Sequence, residues 1–428
     1  MEDTMSIGYA CKTIGVWNTD MKSCMLKNVS NDKLTEVILH NLSSLEHMID
    51  YNIKNGITLF RISSDLISFG SSKVNELVWW EMFQSQFERI GRKIKDGNLR
   101  VSMHPGQYTV LNSPKTEVVE NAILDLNYHT KVLDCLGVGQ NHKIILHIGG
   151  IYGDKTSAKE RFIRNYNRLD DSVKKRLVLE NDDKSYHIGD LLDISRIINA
   201  PIVFDNLHNI VNPYDSAVSE VQWIMECNKT WNETDGCQKI HYSQQDNKKK
   251  PGSHSETIRI MEFLDFYEKL DQKNIDIMLE VKDKNLSAIK CINCVREGTQ
   301  LKDLEVEWSR YKYNVLEHSH NDYLSIRRLF KEEYGKKELQ QDLPIIFYRM
   351  LEHALEQEVM VGGAVNAASH VWGYYKDVAT EQERRSFMKK LDQYQQGQIS
   401  IQSIKNMLGK LAVKYEREYL LNSFYVWI

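Results

Sequence analysis

The sequence predicts a (β/α)8 barrel of the TIM type followed by a small all-α region, and three observations carry that prediction. Short β-rich runs recur eight times through the first two-thirds of the chain, each separated from the next by a helix-length segment. Several of these runs (KIILHI, RLVLEN, PIVFDN, IDIMLEV) are nearly continuous in apolar residues, which fits strands covered on both faces, as in a parallel sheet. From Glu307 onward the strand signal fades and strong helix formers dominate. The same alternation leaves an open doubly wound sheet as the lesser alternative.

Taken in order, the runs are Ser6–Cys11, Ile57–Ser64, Leu99–Pro105, Lys143–Gly150, Arg176–Asn181, Pro201–Asp205, Gln238–Ser243 and Ile275–Val281. After the first run, Asp32 is positioned to cap a helix carrying Leu34, Val37, Ile38, Leu42, Leu45 and Met48 at helical spacing. Val118 to Leu136 and Ser255 to Leu270 repeat that pattern. The expected division is a barrel over residues 1–290, a connector over 291–312 and a helical region over 313–428, with Gly397 as a helix break.

Composition sets the bounds. Hydrophobic residues make up 42% and charged residues 27%, enough apolar material for a large core. A net charge of −4 supplies no general attraction for nucleic acid, so a phosphate-binding surface would need a local basic groove or bound cations. The seven cysteines are odd in number and irregular in spacing, which argues against a disulfide framework and for a reducing compartment. The one C-x-x-C, Cys291 to Cys294, reads as ordinary thiols or as an isolated metal or redox pair. With no basic leader and no apolar stretch of ~18 residues, the expectation is a soluble, intracellular, monomeric protein without a membrane segment.

The ends of the strand runs are more informative. Read towards their C-termini they deliver Tyr9, Ser64, His104, His147, Glu180, Asp205 with His208, His241 and Glu280, and His254 opens the helix after the seventh run. In a barrel these ends converge on one rim. One polar residue there is an ordinary structural group, but five histidines and three carboxylates together would repel and desolvate one another without cations. Imidazoles and carboxylates without thiolates suit Mn²⁺, Zn²⁺ or Fe²⁺. Such ions hold phosphodiester oxygens and acidify water, which favours hydrolysis at phosphorus; a metal-dependent sugar isomerase or epimerase is the alternative on the same barrel.

The segments RISSDL (Arg61–Leu66), MHPGQYTVLNSPK (Met103–Lys115), LHIGGIYGDK (Leu146–Lys155), LENDDK (Leu179–Lys184), FDNLH (Phe204–His208), KIHYSQ (Lys239–Gln244) and GSHSE (Gly252–Glu256) together resemble the UV damage endonuclease family, in one order from about Ile7 to about Lys282. The resemblance implies a DNA repair endonuclease that nicks double-stranded DNA 5′ to UV photoproducts. It further implies a cluster of two or three divalent ions, manganese first, with zinc, iron, cobalt or magnesium as the others. Matched residue by residue, the metal positions are His104, His147, Glu180, Asp205, His208, His241, His254 and Glu280, and Glu180, His241, Glu280 and Lys239 are the catalytic ones. Lys239 matches a lysine that is carboxylated in the family; the alternative is a lysine facing bulk water. Gln107 and Tyr108 match a pair wedged into the duplex at the lesion, turned outward by Pro105 and Gly106. Tyr9 matches a further aromatic contact or is a packed barrel tyrosine, and Lys115, Arg61, Lys184 and Lys248–Lys250 are available to phosphates. Two departures stand out: Ser72 replaces a metal-holding histidine, and Thr13 replaces an asparagine. The first leaves open a non-catalytic protein that binds damaged DNA.

In the C-terminal third, LEHSHNDYLSI, NAASHVWGYYKD, YQQGQIS and EYLLNSFY resemble the YbgA-like helical domain of unknown function. There His318, His320, His353 and His370 with Asn366 form either a second site or polar decoration of a bundle.

Overall fold

The computed structural model describes residues 5–270, 274–334, 336 and 342–428. Eight parallel strands close a barrel in chain order: β1 (Ile7–Ala10), β2 (Leu59–Ile62), β3 (Arg100–Met103), β4 (Ile144–His147), β5 (Leu177–Glu180), β6 (Ile202–Asp205), β7 (Lys239–Tyr242) and β8 (Asp276–Leu279), which pairs back onto β1. The barrel unit comprises the chain up to Lys12, Thr19–Ile258 and Glu262–Ile289; a helical unit comprises Thr13–Asn18, Arg259–Met261 and Lys290–Ile428.

The strand period of two sorts the interior into layers. Ile145, Val178 and Val203 from β4, β5 and β6 form one apolar cluster, and Ala10, Leu59 and Met278 form another. Below them Arg100 at the start of β3 reaches Asp276 of β8 at 2.6 Å, a pairing between strands that are not neighbours. Lys143, fully buried before β4, is hydrogen-bonded to Asp235 and to the Lys175 carbonyl. Two residues above the apolar belt the same parity delivers His147, Glu180, Asp205 and Glu280 to the rim. β1 and β2 approach closely at Gly8, where a Cβ would lie 1.8 Å from the Leu59 carbonyl oxygen.

The surrounding helices follow from the apolar spacing, with adjusted ends. Helix Asn31–Lys54 is capped by Ser30, whose hydroxyl accepts from the Lys33 N–H, and Asp32 lies in its first turn, where a carboxylate favours the helix dipole. Helix Thr116–Cys135 follows β3. The helix expected from Ser255 begins at Ile260, because His254 pairs with Gln245 and the Ser255 N–H is donated to the Gln244 carbonyl.

In the helical unit, Leu301–His318, His320–Glu333, Leu343–Glu356, Val361–Trp372, Glu381–Gln395 and Ile401–Lys414 surround a core that includes Tyr313, Leu316, Val371, Tyr375, Phe387 and Leu408. Leu301–His318 packs against Val361–Trp372, and at Gly363 a Cβ would lie 2.4 Å from the Glu317 carbonyl. Of residues 291–312, expected as a connector, only 296–300 form a turn, and the rest lie in helices Asn285–Val295 and Leu301–His318, where Leu304, Tyr311 and Val315 recur at helical spacing and are buried. The expected break holds at Gly397, in a left-handed conformation with φ 72°. Residues 335 and 337–341 of the run LSIRRLFKEEYGKKELQQ lie outside the described residues. Among the described residues all seven cysteines are free thiols, and no helix is long and apolar enough to cross a membrane.

A pH prediction follows from His142, whose Nδ1 accepts the Val101 N–H at 3.0 Å. Burial, with Arg100 next, pushes its pKa from 6.5 down to about 3. The unfolded chain therefore binds this proton first, so the stability is intact above the ordinary value and is lost as pH falls towards the folded one. Wild type should lose up to about 1.4 kcal/mol per pH unit from this group across that window. His142→Gln, which keeps an acceptor and removes the titration, should give a flatter curve in urea denaturation; identical slopes would refute the assignment.

Candidate active site

Glu180 is the centre of the rim. Its Oε2 lies 2.9 Å from His104 Nε2 and 3.4 Å from His147 Nε2, and its Oε1 lies 2.7 Å from His241 Nδ1 and 3.8 Å from His208 Nδ1. Four other segments thus deliver imidazoles to one carboxylate. His208 arrives on the short helix Asn206–Val211 directly after β6, where the Asp205 side chain caps its N–H at 2.7 Å. Arg61 donates from Nη2 to Glu280 Oε1 at 2.6 Å and contacts His241 Nε2 at 2.8 Å. A guanidinium can only donate, so His241 Nε2 accepts and its Nδ1–H points at Glu180. His254 Nε2 lies 3.8 Å from Glu280 Oε2.

These contacts set the charges. Burial opposes ionisation of Glu180, but His241 and His147 outweigh it and hold the carboxyl well below its usual range. Burial likewise opposes ionisation of Glu280, and Arg61 with His241 holds it low. Asp205 moves the other way: burial raises it, Glu180 and Glu280 add to the rise, and its Oδ2 is buried without a hydrogen-bond partner. Against the cost of burial, Asp205 and Glu180 raise His208 to about 9. His147 is lowered by burial, and its Nδ1 is also buried without a partner.

Whether this rim suits a divalent ion can be judged from those atoms. His104, His147 and Glu180, and separately Glu180, Asp205 and His241, each offer ligand atoms within 4.8 Å of one another. The unpartnered Asp205 oxygen and the crowding of three carboxylates are what a cation would relieve. The donor set fits.

The remaining expected residues fall out unevenly. Gln107 and Tyr108 are exposed on the loop after β3, Tyr108 at 70%, and Lys115 is exposed at the start of the following helix. Lys239 does not face bulk water: it is fully buried on β7, and its Nζ has no hydrogen-bond partner. Burial, with Arg100 next, lowers its pKa well below the ordinary value. Tyr9 is a correction. It is 0% exposed, packs its ring 5.1 Å from Phe60 and donates its hydroxyl to Asn52, so it is the packed barrel tyrosine and not a surface contact. Its neighbours Gly8 and Ala10 have the opposite parity. Arg61 is likewise no surface phosphate contact but the buried partner of Glu280, and the signal for this was its period-two step from Leu59. Ser72 is exposed in a turn, its hydroxyl accepting the Val74 N–H. Lys184, Lys248 and Lys250 are exposed, and Lys249 is paired with Asp246 and Glu256. In the helical unit His353 lies 3.3 Å from Asp322 and His318 contacts the Gln357 carbonyl; among the described residues these histidines form no metal-ligating group.

A closed parallel barrel whose rim gathers imidazoles around buried carboxylates defines a TIM-barrel enzyme-type site. Comparison with known proteins narrows this: the chain belongs to the UV-endonuclease family, whose model (UV-endonuclease UvdE) matches residues 5–309. Residues 312–427 match a family described as a protein of unknown function (DUF1722). A UV DNA damage endonuclease of Clostridium perfringens is 41% identical over 429 residues, covering 99% of each chain. One from Bacillus cereus (strain G9842) is 33% identical over 317 residues, covering 71% of this chain and 99% of the relative. The crystal structure of SacUVDE is similar with a TM-score of 0.64 and 36% identity, over 67% of this chain and 96% of that one.

The Arg61–Glu280 pair yields a prediction. Removing one member of a buried pair strands the other charge, so Arg61→Met should cost about 3–5 kcal/mol in urea denaturation with chelator present. The double variant with Glu280→Gln should recover part of the loss. A loss in Arg61→Met below ~1 kcal/mol would show the pair to be unimportant.

Proposed function

We propose that this chain is a metal-dependent DNA repair endonuclease that hydrolyses the phosphodiester backbone 5′ to UV photoproducts in duplex DNA. The observation that carries the reading is the rim centred on Glu180, in a chain of the UV-endonuclease family. His104, His147, Glu180, Asp205 and His241 would hold two or three ions, manganese first, with His208, His254 and Glu280 beside them. Bound there, such ions supply Lewis acidity towards phosphate and acidify water.

The chain's own residues do the rest. Glu180, Asp205 and Glu280 give the rim an acidic character that selects cations, and Arg61 keeps Glu280 ionised and His241 in one tautomer. The exposed Gln107 and Tyr108 meet the duplex, where a photoproduct has weakened stacking; inserting a ring there costs less than at an intact step. Selectivity then needs no base-specific contact. Lys239, whose pKa burial and then Arg100 push well below the ordinary value, is suited to carboxylation: its unprotonated nitrogen would add to carbon dioxide and release one proton, leaving an anionic carbamate inside the barrel.

The test is nicking of UV-irradiated duplex by the full chain with Mn²⁺, with elemental analysis of the purified protein. Wild type should cut the damaged strand 5′ to the lesion and lose this on chelation. Glu180→Gln should lower the rate by about 100-fold or more and reduce the manganese content. Equal nicking by both proteins would take Glu180 out of the mechanism.

A further inference from the structure

The loop that carries Gln107 and Tyr108 is tied at both ends to a single helix. At its far end the Thr109 hydroxyl donates to Asp125 Oδ2 at 2.6 Å, a buried bond. At its near end the Ser64 hydroxyl donates to the His104 carbonyl at 2.7 Å, and Ser64 Oγ lies 2.9 Å from His129 Nε2. Asp125 and His129 are one turn apart on helix Thr116–Cys135, so they share a face; with the Ser64 proton on the His104 carbonyl, His129 Nε2–H is the donor to Ser64 Oγ, and His129 Nδ1 lies 2.7 Å from the Asp125 carbonyl oxygen. Between them Tyr128 adds a third tie: its hydroxyl donates to the Ser64 carbonyl at 2.9 Å and accepts the Ile67 N–H at 3.2 Å.

The contrast in exposure gives this arrangement its meaning. Thr109, Asp125, Tyr128 and His129 are 6% exposed or less, whereas the Tyr108 ring beside them is 70% exposed. The ring leans back over Gly106, where a Cβ would lie 2.5 Å from it. It also walls a cavity of about 310 Å³ whose lining includes Ser64, Asp65, Ser68, Ser72 and Asp125. The exposed tip is therefore mounted on a buried base, and that base runs to the backbone of a rim histidine.

We propose that Asp125 and His129 are positioning residues for damage discrimination: from one helix turn they hold the Gln107–Tyr108 tip in fixed register with the rim at His104. The proposal rests on the reading of this tip as the lesion wedge. A wedge improves selectivity only if insertion places the scissile phosphate at the rim, and a misplacement near 1 Å costs about 100-fold in comparable catalytic geometries. A loosened base would let the tip enter DNA without that register. Neither residue needs to touch DNA.

The experiment compares full-length, manganese-loaded wild type with Thr109→Val, Thr109→Ser, Asp125→Asn, His129→Gln and Tyr108→Ala. The readouts are kcat and KM on a duplex with one defined photoproduct, the same on undamaged duplex, manganese content and melting temperature. Thr109→Val should lower the damaged-to-undamaged ratio of kcat/KM by about tenfold, and Asp125→Asn, which keeps a neutral acceptor, by less, both mainly through kcat and with manganese content unchanged. The double variant of Thr109 and Asp125 should be no worse than the poorer single one, because both changes act on one bond. Thr109→Ser, which keeps the hydroxyl, should retain wild-type selectivity. His129→Gln should lower the ratio in the same direction. If Thr109→Val and Asp125→Asn lower only the melting temperature and leave the ratio within about twofold, the helix is merely structural and the proposal is overturned. Tyr108→Ala separates the two readings: unchanged selectivity there overturns the wedge itself, whereas lost selectivity there with none lost in Thr109→Val overturns the positioning role alone.

Discussion

A carboxylate with 1% exposure at the mouth of a barrel is tolerable only if its charge is met from several sides, and Glu180 is met by four imidazoles. Burial of one ionised group costs several kcal/mol, so the rim must assemble as a whole. His104, His147, Glu180, Asp205 and His241 come from different strand ends, and each lies an even number of residues above interior positions of its own strand. A slip of one residue in any strand would turn its contribution outward and leave the others unpaired. The same electrostatics that make the apoprotein rim self-consistent make it receptive to cations, because imidazole protons and the Arg61 guanidinium occupy only part of the available negative charge.

The layers beneath the rim constrain it further. Arg100 with Asp276 and Lys143 with Asp235 form a charged floor, and only a thin belt of Ile145, Val178, Val203, Leu59 and Met278 separates floor from rim. Buried pairs of this kind add little net stability, yet each fails if its strand shifts, so they specify register. Lys239 lies between the two charged layers. Burial lowers its pKa, and Arg100, Arg61 and Lys143 add to that shift against the opposing effect of Asp276. That shift is thus a consequence of the floor as well as of the rim.

Much of this was legible in the sequence because an apolar run that ends in His, Glu or Asp is unusual, and six such runs among eight in order leave few folds. The barrel and the convergence of its rim residues around Glu180 follow from that pattern. What was not legible depended on parity and on partners far along the chain. In IGYA the small residues Gly8 and Ala10 hold the inward positions, so Tyr9 faces the helix layer and bonds Asn52, 43 residues away. Arg61 in RISSDL reads as a phosphate ligand until Glu280, 219 residues later, is seen beside it. The tie from Thr109 to Asp125 could not be read either, since a threonine after an exposed loop has no signature of its own.

The two units divide the work unequally. Every rim residue, and both ends of the Gln107–Tyr108 loop, belongs to the barrel unit, while the helical unit has a separate core from Tyr313 to Val426. The Bacillus cereus relative aligns over 99% of its own length with only 71% of this chain, so the family barrel occurs in chains without a counterpart for the remainder. The Clostridium perfringens relative aligns along nearly the whole chain. The rim residues proposed to act all lie in the barrel unit, and the helical unit carries charged clusters of its own. There Lys312 sits 4.8 Å over each of two tyrosine rings, Tyr313 and Tyr419, and the Arg327 guanidinium lies 5.7 Å from the Tyr323 ring. Burial, with Arg327 next, lowers the Lys312 pKa, while the faces of Tyr313 and Tyr419 partly offset the hydration it loses, so this half-buried cluster is chemically unlike the acidic rim of the barrel.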